Sequence, residues 1–195
     1  MTNSRPPDQS IMVASRKVPD ALLAKGTIDL RGLFAMHAAY VWNTLRRLGV
    51  SPSDLEDLTH DVFVQVQRHL GDYDASRPVR PWLFGFAFRI VSQYRRRAHR
   101  RHETPGLRGT RDAIDPAALP DERLAAEEDR RLVLEALEAI DLDRRAVFVL
   151  YEIDGVPMDE IARSLGIPVN TAYSRLRVAR TEFAAAVKRL RRRER

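Results

Sequence analysis

Cysteine is absent from this chain of 195 residues. Disulfides, thiolate zinc sites and thiol catalysis are excluded with it, and the composition fits the reducing cytoplasm. Aromatic residues make up only 7%, so any core must be built chiefly from aliphatic side chains. No apolar run approaches the roughly 20 residues that a membrane-crossing helix needs, and no membrane association is expected. The first residues lack the apolar stretch of a secretory signal. With three prolines and scattered polar groups, residues 1–28 read as a flexible leader. No Ser-His-Asp order, glycine-rich phosphate loop or acid–base pair stands out. His37, His60, His69, His99 and His102 form no ligand spacing. The expectation is a protein with no catalytic residue, no metal and no cofactor, and not an enzyme.

What the chain has is helical period and charge. Leu30, Leu33, Phe34, Val41, Leu45 and Leu48 recur at helical spacing up to Gly49. After the break at Ser51-Pro52-Ser53, a second stripe carries Leu55, Leu58, Val62, Val66 and Leu70, stopped by Gly71. A third helix is expected from about Pro81, a residue suited to a first turn, to about Arg101. From His102 to about Asp129 the pattern collapses into a stretch with three prolines and two glycines, locally acidic and read as a linker. Period returns with Leu132, Val133, Leu137 and Ile140, then Ala146, Val147 and Leu150, then Ile161, Ala162 and Leu165. A last long stripe runs from Val169 through Ala172, Leu176, Ala179, Phe183 and Val187 to Leu190. With no strand-like alternation, the chain reads as all-α, two small helical domains joined by a flexible tether.

The balance of 33 Lys and Arg against 27 Asp and Glu gives a net charge of +6. That suits a polyanionic partner, and the distribution of charge says more than the total. In Met158–Arg180 the spacing fits a helix-turn-helix: Ala162 where two helices cross, Gly166 in the turn, Pro168 opening the second helix. Asn170, Thr171, Tyr173, Ser174 and Arg177 then face outward, where this motif reaches base edges, while Arg175 and Arg180 suit phosphates. The bland alternative is a plain helical hairpin. The six basic residues after Ala186 read either as a solvated helix end or as extra phosphate contact.

The third helix places Trp82, Phe84, Phe86 and Phe88 ahead of Arg89, Arg95, Arg96, Arg97, Arg100 and Arg101. Arginines neutralise phosphate and aromatic rings stack on unstacked bases, so this pairing suits opened nucleic acid. The rings are equally readable as core, Phe86 above all, since it shares a face with Trp82 and Ile90. The second helix has the opposite sign. Asp54, Asp57 and Asp61, spaced by three and four with Glu56 nearby, form one acidic flank. It reads as a divalent-metal site, a solvated face or a surface docking a basic partner.

At these residues the sequence resembles the extracytoplasmic-function (ECF) group of bacterial RNA polymerase sigma factors, from about Leu30 to Arg193. Asp57, Leu58, Asp61, Val62 and Phe63 match the family's Asp-Leu-x-Gln-Glu-Val-Phe helix, with His60 where Gln is usual. The resemblance implies that Asp54, Asp57, Leu58, Asp61 and Phe63 dock core RNA polymerase. Trp82, Leu83, Ala87, Arg96 and Arg97 match the Trp-Leu-x-x-Ile-Ala-x-Asn pattern and its basic continuation, with Arg89 and Gln93 standing where Asn or Asp is common. It implies that Trp82, Phe88, Arg89, Gln93, Arg96, Arg97 and Arg100 recognise and melt the minus-ten element of promoter DNA. The loop Asp72 to Arg80 corresponds to one that captures a flipped base. The C-terminal half matches the family's fourth region, with Asn170 for the usual Gly and Ala172 for the usual Val. It implies reading of the minus-thirty-five element.

The expected division is a leader at 1–28, sigma region 2 at 29–101, a linker at 102–128 and sigma region 4 at 129–195. Members of the family are commonly held by an anti-sigma factor. Two rivals are a regulator that uses the same helix-turn-helix without entering polymerase, and a Mg²⁺-dependent nucleic-acid enzyme built on the aspartates.

Overall fold

The computed structural model describes residues 29–102 and 121–193, with the side chains of 99–102 and 121–126 outside that description. The expected leader and the linker stretch 103–120 therefore lie outside the described residues. Seven α-helices are described, and no strand occurs among the described residues.

Helix α1 (Leu30–Arg47) starts where the Asp29 carboxylate accepts a hydrogen bond from the Arg31 backbone N–H at 3.1 Å. An Asp in this role satisfies one of the four unpaired N–H groups of a helix start. Leu33, His37, Val41, Thr44 and Leu45 form its buried face. Gly49 ends the run at φ +88°, a left-handed conformation that a Cβ would strain. Pro52 opens a short 3₁₀ turn that leads into α2 (Leu55–Arg68), which buries Leu55, Thr59, Val62, Phe63 and Val66. Helix α3 (Val79–His102) begins two residues ahead of the expected Pro81. Helices α1, α2 and α3 pack mutually as the first module.

Helix α4 (Asp121–Glu138) begins inside the stretch read as linker. The prolines end at Pro120, and the Asp, Glu and Ala that follow accept helical geometry. Helix α5 (Leu142–Phe148) is capped by the Asp141 carboxylate on the Asp143 N–H and passes into one π-helical turn, Val149–Ile153. Helices α6 (Met158–Leu165) and α7 (Val169–Arg193) complete the second module, in which α7 packs on α4, α5 and α6.

The two modules share one core. A single apolar cluster runs from Leu33, Leu45 and Val62 through Leu83 and Phe84 to Leu150, Ile161 and Leu176. Helix α3 lies against α6, and α1 against α4. The tether between two domains expected from the sequence thus connects modules that are in contact.

Arg145 sits where they meet, with 1% of its surface exposed. Its guanidinium donates to the carbonyls of Glu138 and Ile140, just past α4, at 2.9 Å each, and to that of Leu48, at the end of α1, also at 2.9 Å. Burial first, and then the neighbouring Arg95, lower its pKa to about 10. The group therefore stays charged at neutral pH and serves as a planar, multi-donor cap for two helix ends. Replacing Arg145 with Met leaves these carbonyls unpaired in a dry interior. It is expected to lower stability by about 3–5 kcal/mol, with Arg145→Lys recovering less than half. Urea unfolding checks this; a wild-type midpoint for the Met variant would show that the carbonyls find other donors.

Candidate nucleic-acid and polymerase interfaces

The turn between α6 and α7 is built by its backbone. Gly166 takes φ +67°, its N–H bonds to the Arg163 carbonyl at 3.2 Å, and the Ile167 N–H reaches the Ala162 carbonyl at 2.9 Å. This crossed pair satisfies the carbonyls left open at the end of α6. Pro168 then offers its carbonyl to the Ala172 N–H at 3.1 Å as α7 begins. Ile161, Ala162, Ala172 and Leu176 are buried between the helices.

The start of α7 consequently turns its polar side chains to solvent. Asn170, Ser174 and Arg177 are exposed, Tyr173 is 57% exposed and Thr171 is half-buried. The Ser174 hydroxyl donates to the Asn170 carbonyl at 3.0 Å. The two arginines assigned to phosphates differ from Arg177. Arg175 is half-buried and pairs with Asp143 of α5 at 2.8 Å. Arg180 pairs with Glu152 at 2.6 Å, and its guanidinium lies over the Tyr151 ring, 5.5 Å from the centroid. Both hold α7 to the α5 end of the module. Sequence reasoning missed Asp143 and Glu152, whose partners lie 28 or more residues away along the chain.

In the first module the aromatic residues of α3 divide unequally. Phe84 and Phe86 are buried, and Trp82 and Phe88 are half-buried. The Trp82 ring packs against Tyr73 at 4.7 Å and edge-on to Phe86 at 5.0 Å. Phe84 is wholly buried, and its neighbours Pro81 and Gly85 lie against Ser164 of α6. Arg89 lies exposed over the Phe86 ring at 4.6 Å, and partial burial lowers its pKa. Gln93, Arg96 and Arg97 are exposed; the Arg96 Nε–H donates to the Ser92 carbonyl at 3.2 Å. The Arg100 side chain lies outside the described residues. Arg95 turns towards the module junction, where burial lowers its pKa against the opposing pull of Asp141 and Glu138.

The acidic flank also divides. Asp57 and Asp61 are exposed and Leu58 is half-buried. Asp54 is tied inward, accepting the Tyr94 hydroxyl of α3 at 2.6 Å. The same hydrogen bond, behind burial, raises the Tyr94 pKa. Phe63, expected at the docking surface, is a core residue at 5% exposure, and the half-exposed ring of Phe34 packs edge-on over it at 4.8 Å. The aromatic surface presented at this flank is that of Phe34. No group of three or more His, Asp or Glu side chains able to hold a metal occurs among the described residues. None of the described helices is long and apolar enough to cross a membrane.

An all-helical chain with a helix-turn-helix and a second, arginine-rich helical module is the class these features define. The sequence matches the family profile for Sigma-70 region 2 over residues 33–102 and that for Sigma-70, region 4 over residues 130–183. It is 31% identical to the ECF RNA polymerase sigma factor SigL of Mycobacterium tuberculosis over 166 residues, 84% of this chain and 90% of that one. It is 30% identical to the RNA polymerase sigma factor CnrH of Cupriavidus metallidurans over 162 residues, 78% and 83% of the two chains. The fold is similar to that of the sigma factor RpoE of Bartonella quintana, solved with the anti-sigma factor NepR (TM-score 0.65, 21% identity, 82% of this chain and 97% of that one). It is also similar to CnrH solved with the cytosolic domain of CnrY (TM-score 0.56, 23% identity, 87% and 94%). The chain belongs to the ECF sigma factors of bacterial RNA polymerase, the subunits that direct promoter-specific transcription initiation.

The burial of the two rings predicts different costs for their loss. Phe63→Ala is expected to lower stability by about 3–5 kcal/mol as a core truncation. Phe34→Ala is expected to cost about 1 kcal/mol, the worth of one partly exposed aromatic pair. Equal losses in urea unfolding would contradict this placement.

Proposed function

We propose that the two modules read the two promoter elements separately while the α2 flank carries the chain on core polymerase. The observation behind this is the side chains left in solvent. At the start of α7 these are Asn170, Tyr173, Ser174 and Arg177; along α3 they are Arg89, Gln93, Arg96 and Arg97; on α2 they are Asp57 and Asp61. Two cationic surfaces and one anionic surface thus lie on separate helices, as two DNA contacts and one protein contact require.

On this reading Asn170, Tyr173, Ser174 and Arg177 contact base edges of the minus-thirty-five element, with Thr171 at their margin. Arg175 and Arg180 orient α7 through Asp143 and Glu152 and lend positive field to the phosphates. Trp82, Phe88, Arg89, Gln93, Arg96, Arg97 and Arg100 serve the minus-ten element, where half-buried rings border the opened strand and the arginines follow its backbone. Asp57, Asp61 and Leu58, with Phe34, dock polymerase, and Asp54 fixes the flank against α3 through Tyr94. Residues 1–28 are a leader and the residues before α4 a linker. The chain performs no chemistry of its own and acts in the cytoplasm, where the polymerase is. An anti-sigma factor is a further partner class, supported by the similar sigma factor RpoE, solved with the anti-sigma factor NepR.

Each module alone binds duplex weakly and in a salt-sensitive way. Docked on polymerase, one contact makes the other effectively intramolecular, so only promoters with both elements correctly spaced bind well. The direct test mixes the purified chain with sigma-free core polymerase and a promoter library. Initiated transcripts are expected. Operator binding without transcripts would favour the separate regulator, and metal-dependent cleavage the enzyme.

The division of labour has its own test. Tyr173→Ala and Arg177→Ala are each expected to weaken binding to a minus-thirty-five duplex by about 1–3 kcal/mol with core affinity unchanged. Asp57→Ala with Asp61→Ala should weaken core binding and leave duplex affinity as it was. Loss of the same function by both sets overturns the assignment.

A further inference from the structure

The last turns of α7 lie beyond the residues assigned to base edges. The match to Sigma-70, region 4 ends at residue 183, whereas α7 continues to Arg193. One side of this continuation is packed. Ala186 has 1% of its surface exposed, Val187 and Leu190 are half-buried, and Phe183 lies against Phe148 of α5 with ring centroids 4.8 Å apart. These contacts hold the continuation as helix, so its outer side chains project from a fixed frame.

That outer side is cationic. Lys188, Arg189, Arg191, Arg192 and Arg193 are exposed, and among the described residues none of them is in an ion pair. Glu182, the one acidic residue of α7, is taken by Arg144 of α5 at 3.0 Å. Lys188 with Arg192, and Arg189 with Arg193, are like charges four apart, a spacing that weakens a helix. The helix dipole favours cations in the last turn, which Arg191, Arg192 and Arg193 occupy, but Lys188 and Arg189 precede it.

The charge also has a direction. From Asn170 through Ser174, Arg177, Thr181 and Ala184 to Lys188, exposed side chains recur at alternating steps of four and three. Arg191 and Arg192 flank the end of the same stripe. One face of α7 therefore carries polar side chains for bases at its start, small side chains in its middle and cations at its end. At 1.5 Å per residue, Lys188 lies about 27 Å along the axis from Asn170. The major groove is only about 12 Å wide, so a helix that starts in the groove carries its end past the phosphate wall. Thr181 and Ala184 let that crossing be close. A straight helix leaves a straight duplex at a tangent, so phosphates meet the cations where the duplex curves towards α7.

We propose that Lys188, Arg191 and Arg192 form a phosphate clamp that holds duplex flanking the minus-thirty-five element and bends it along α7. This rests on the reading of α7 as the helix that contacts that element. The partner is duplex and not acidic protein, because the cations continue the face assigned to DNA. The clamp reads no base itself; it adds affinity by releasing counterions from the phosphates. Flanking sequence still counts, since a bend costs less where the duplex deforms easily.

The experiment uses the full-length chain and two duplexes. One ends at the minus-thirty-five element and the other extends it by about 10 base pairs, one helical turn, on each side. The parent is expected to prefer the extended duplex, and energy transfer between dyes at that duplex's ends should rise on binding. Lys188→Gln, Arg191→Gln and Arg192→Gln together should make the fall of log K with log salt less steep by about 2 to 3. The same variant should lose the preference and the rise in transfer. Glutamine keeps helix propensity, so helix content by circular dichroism should match the parent. Arg191→Lys with Arg192→Lys should keep the parent's slope, since a phosphate accepts a point charge as well as a planar fork. A base substitution within the element should cost the parent and the Gln variant the same factor. An unchanged slope and preference in the folded Gln variant overturns the clamp. Loss confined to core polymerase binding overturns it too, assigning the cations to acidic protein. A parent that binds the element and a scrambled duplex equally overturns the reading of α7 instead.

Discussion

A buried guanidinium sets the geometry of this protein. Arg145 arises in α5, yet its donors complete the ends of α4 and α1, so one side chain ties the second module's first turn to the first module's first helix. Helix ends with open carbonyls are costly in a dry interior, and a planar group with five N–H donors answers several of them together. The glycine that follows α1 contributes to the same junction. A Cβ on Gly49 would lie 2.6 Å from the Arg145 guanidinium and 2.7 Å from that of Arg95. Position, backbone conformation and charge at this point are mutually dependent.

Arginine has several physical fates here, and function follows from which fate each residue meets. Arg145 is consumed by the core, Arg47 by Asp154, and Arg175 and Arg180 by acids that fix α7. Arg177 and Arg97 keep solvent-facing guanidinium groups. Cations already held by carboxylates add to the positive field around their helices but have less freedom to follow an anionic partner. The exposed ones suit direct contact. A net charge of +6 therefore understates how selectively the positive surface is placed.

The second organising feature is the sharing of one core by two modules. Apolar burial across α3 and α6 holds the modules together, and the polar contacts of Asp154 with Tyr40 and Arg47 give the packing a defined register.

Much of this was legible in the sequence. The helical stripes, the turn at Gly166, the outward positions Asn170, Tyr173 and Arg177, and the acidic pair Asp57 and Asp61 follow from local periodicity and local charge. Those properties depend on residues three or four apart. The burial of Phe63 beneath Phe34, the approach of α6 to α3 at Pro81 and Gly85, the capture of Arg175 and Arg180, and the joining of two modules through Arg145 and Asp154 did not follow. Each depends on which helix lies opposite, and partners 97 and 114 residues apart leave no trace in a local pattern. Sequence determined the elements and the faces they offer; tertiary packing decided which of those faces remain in water, because a side chain's burial is a property of its neighbours in space.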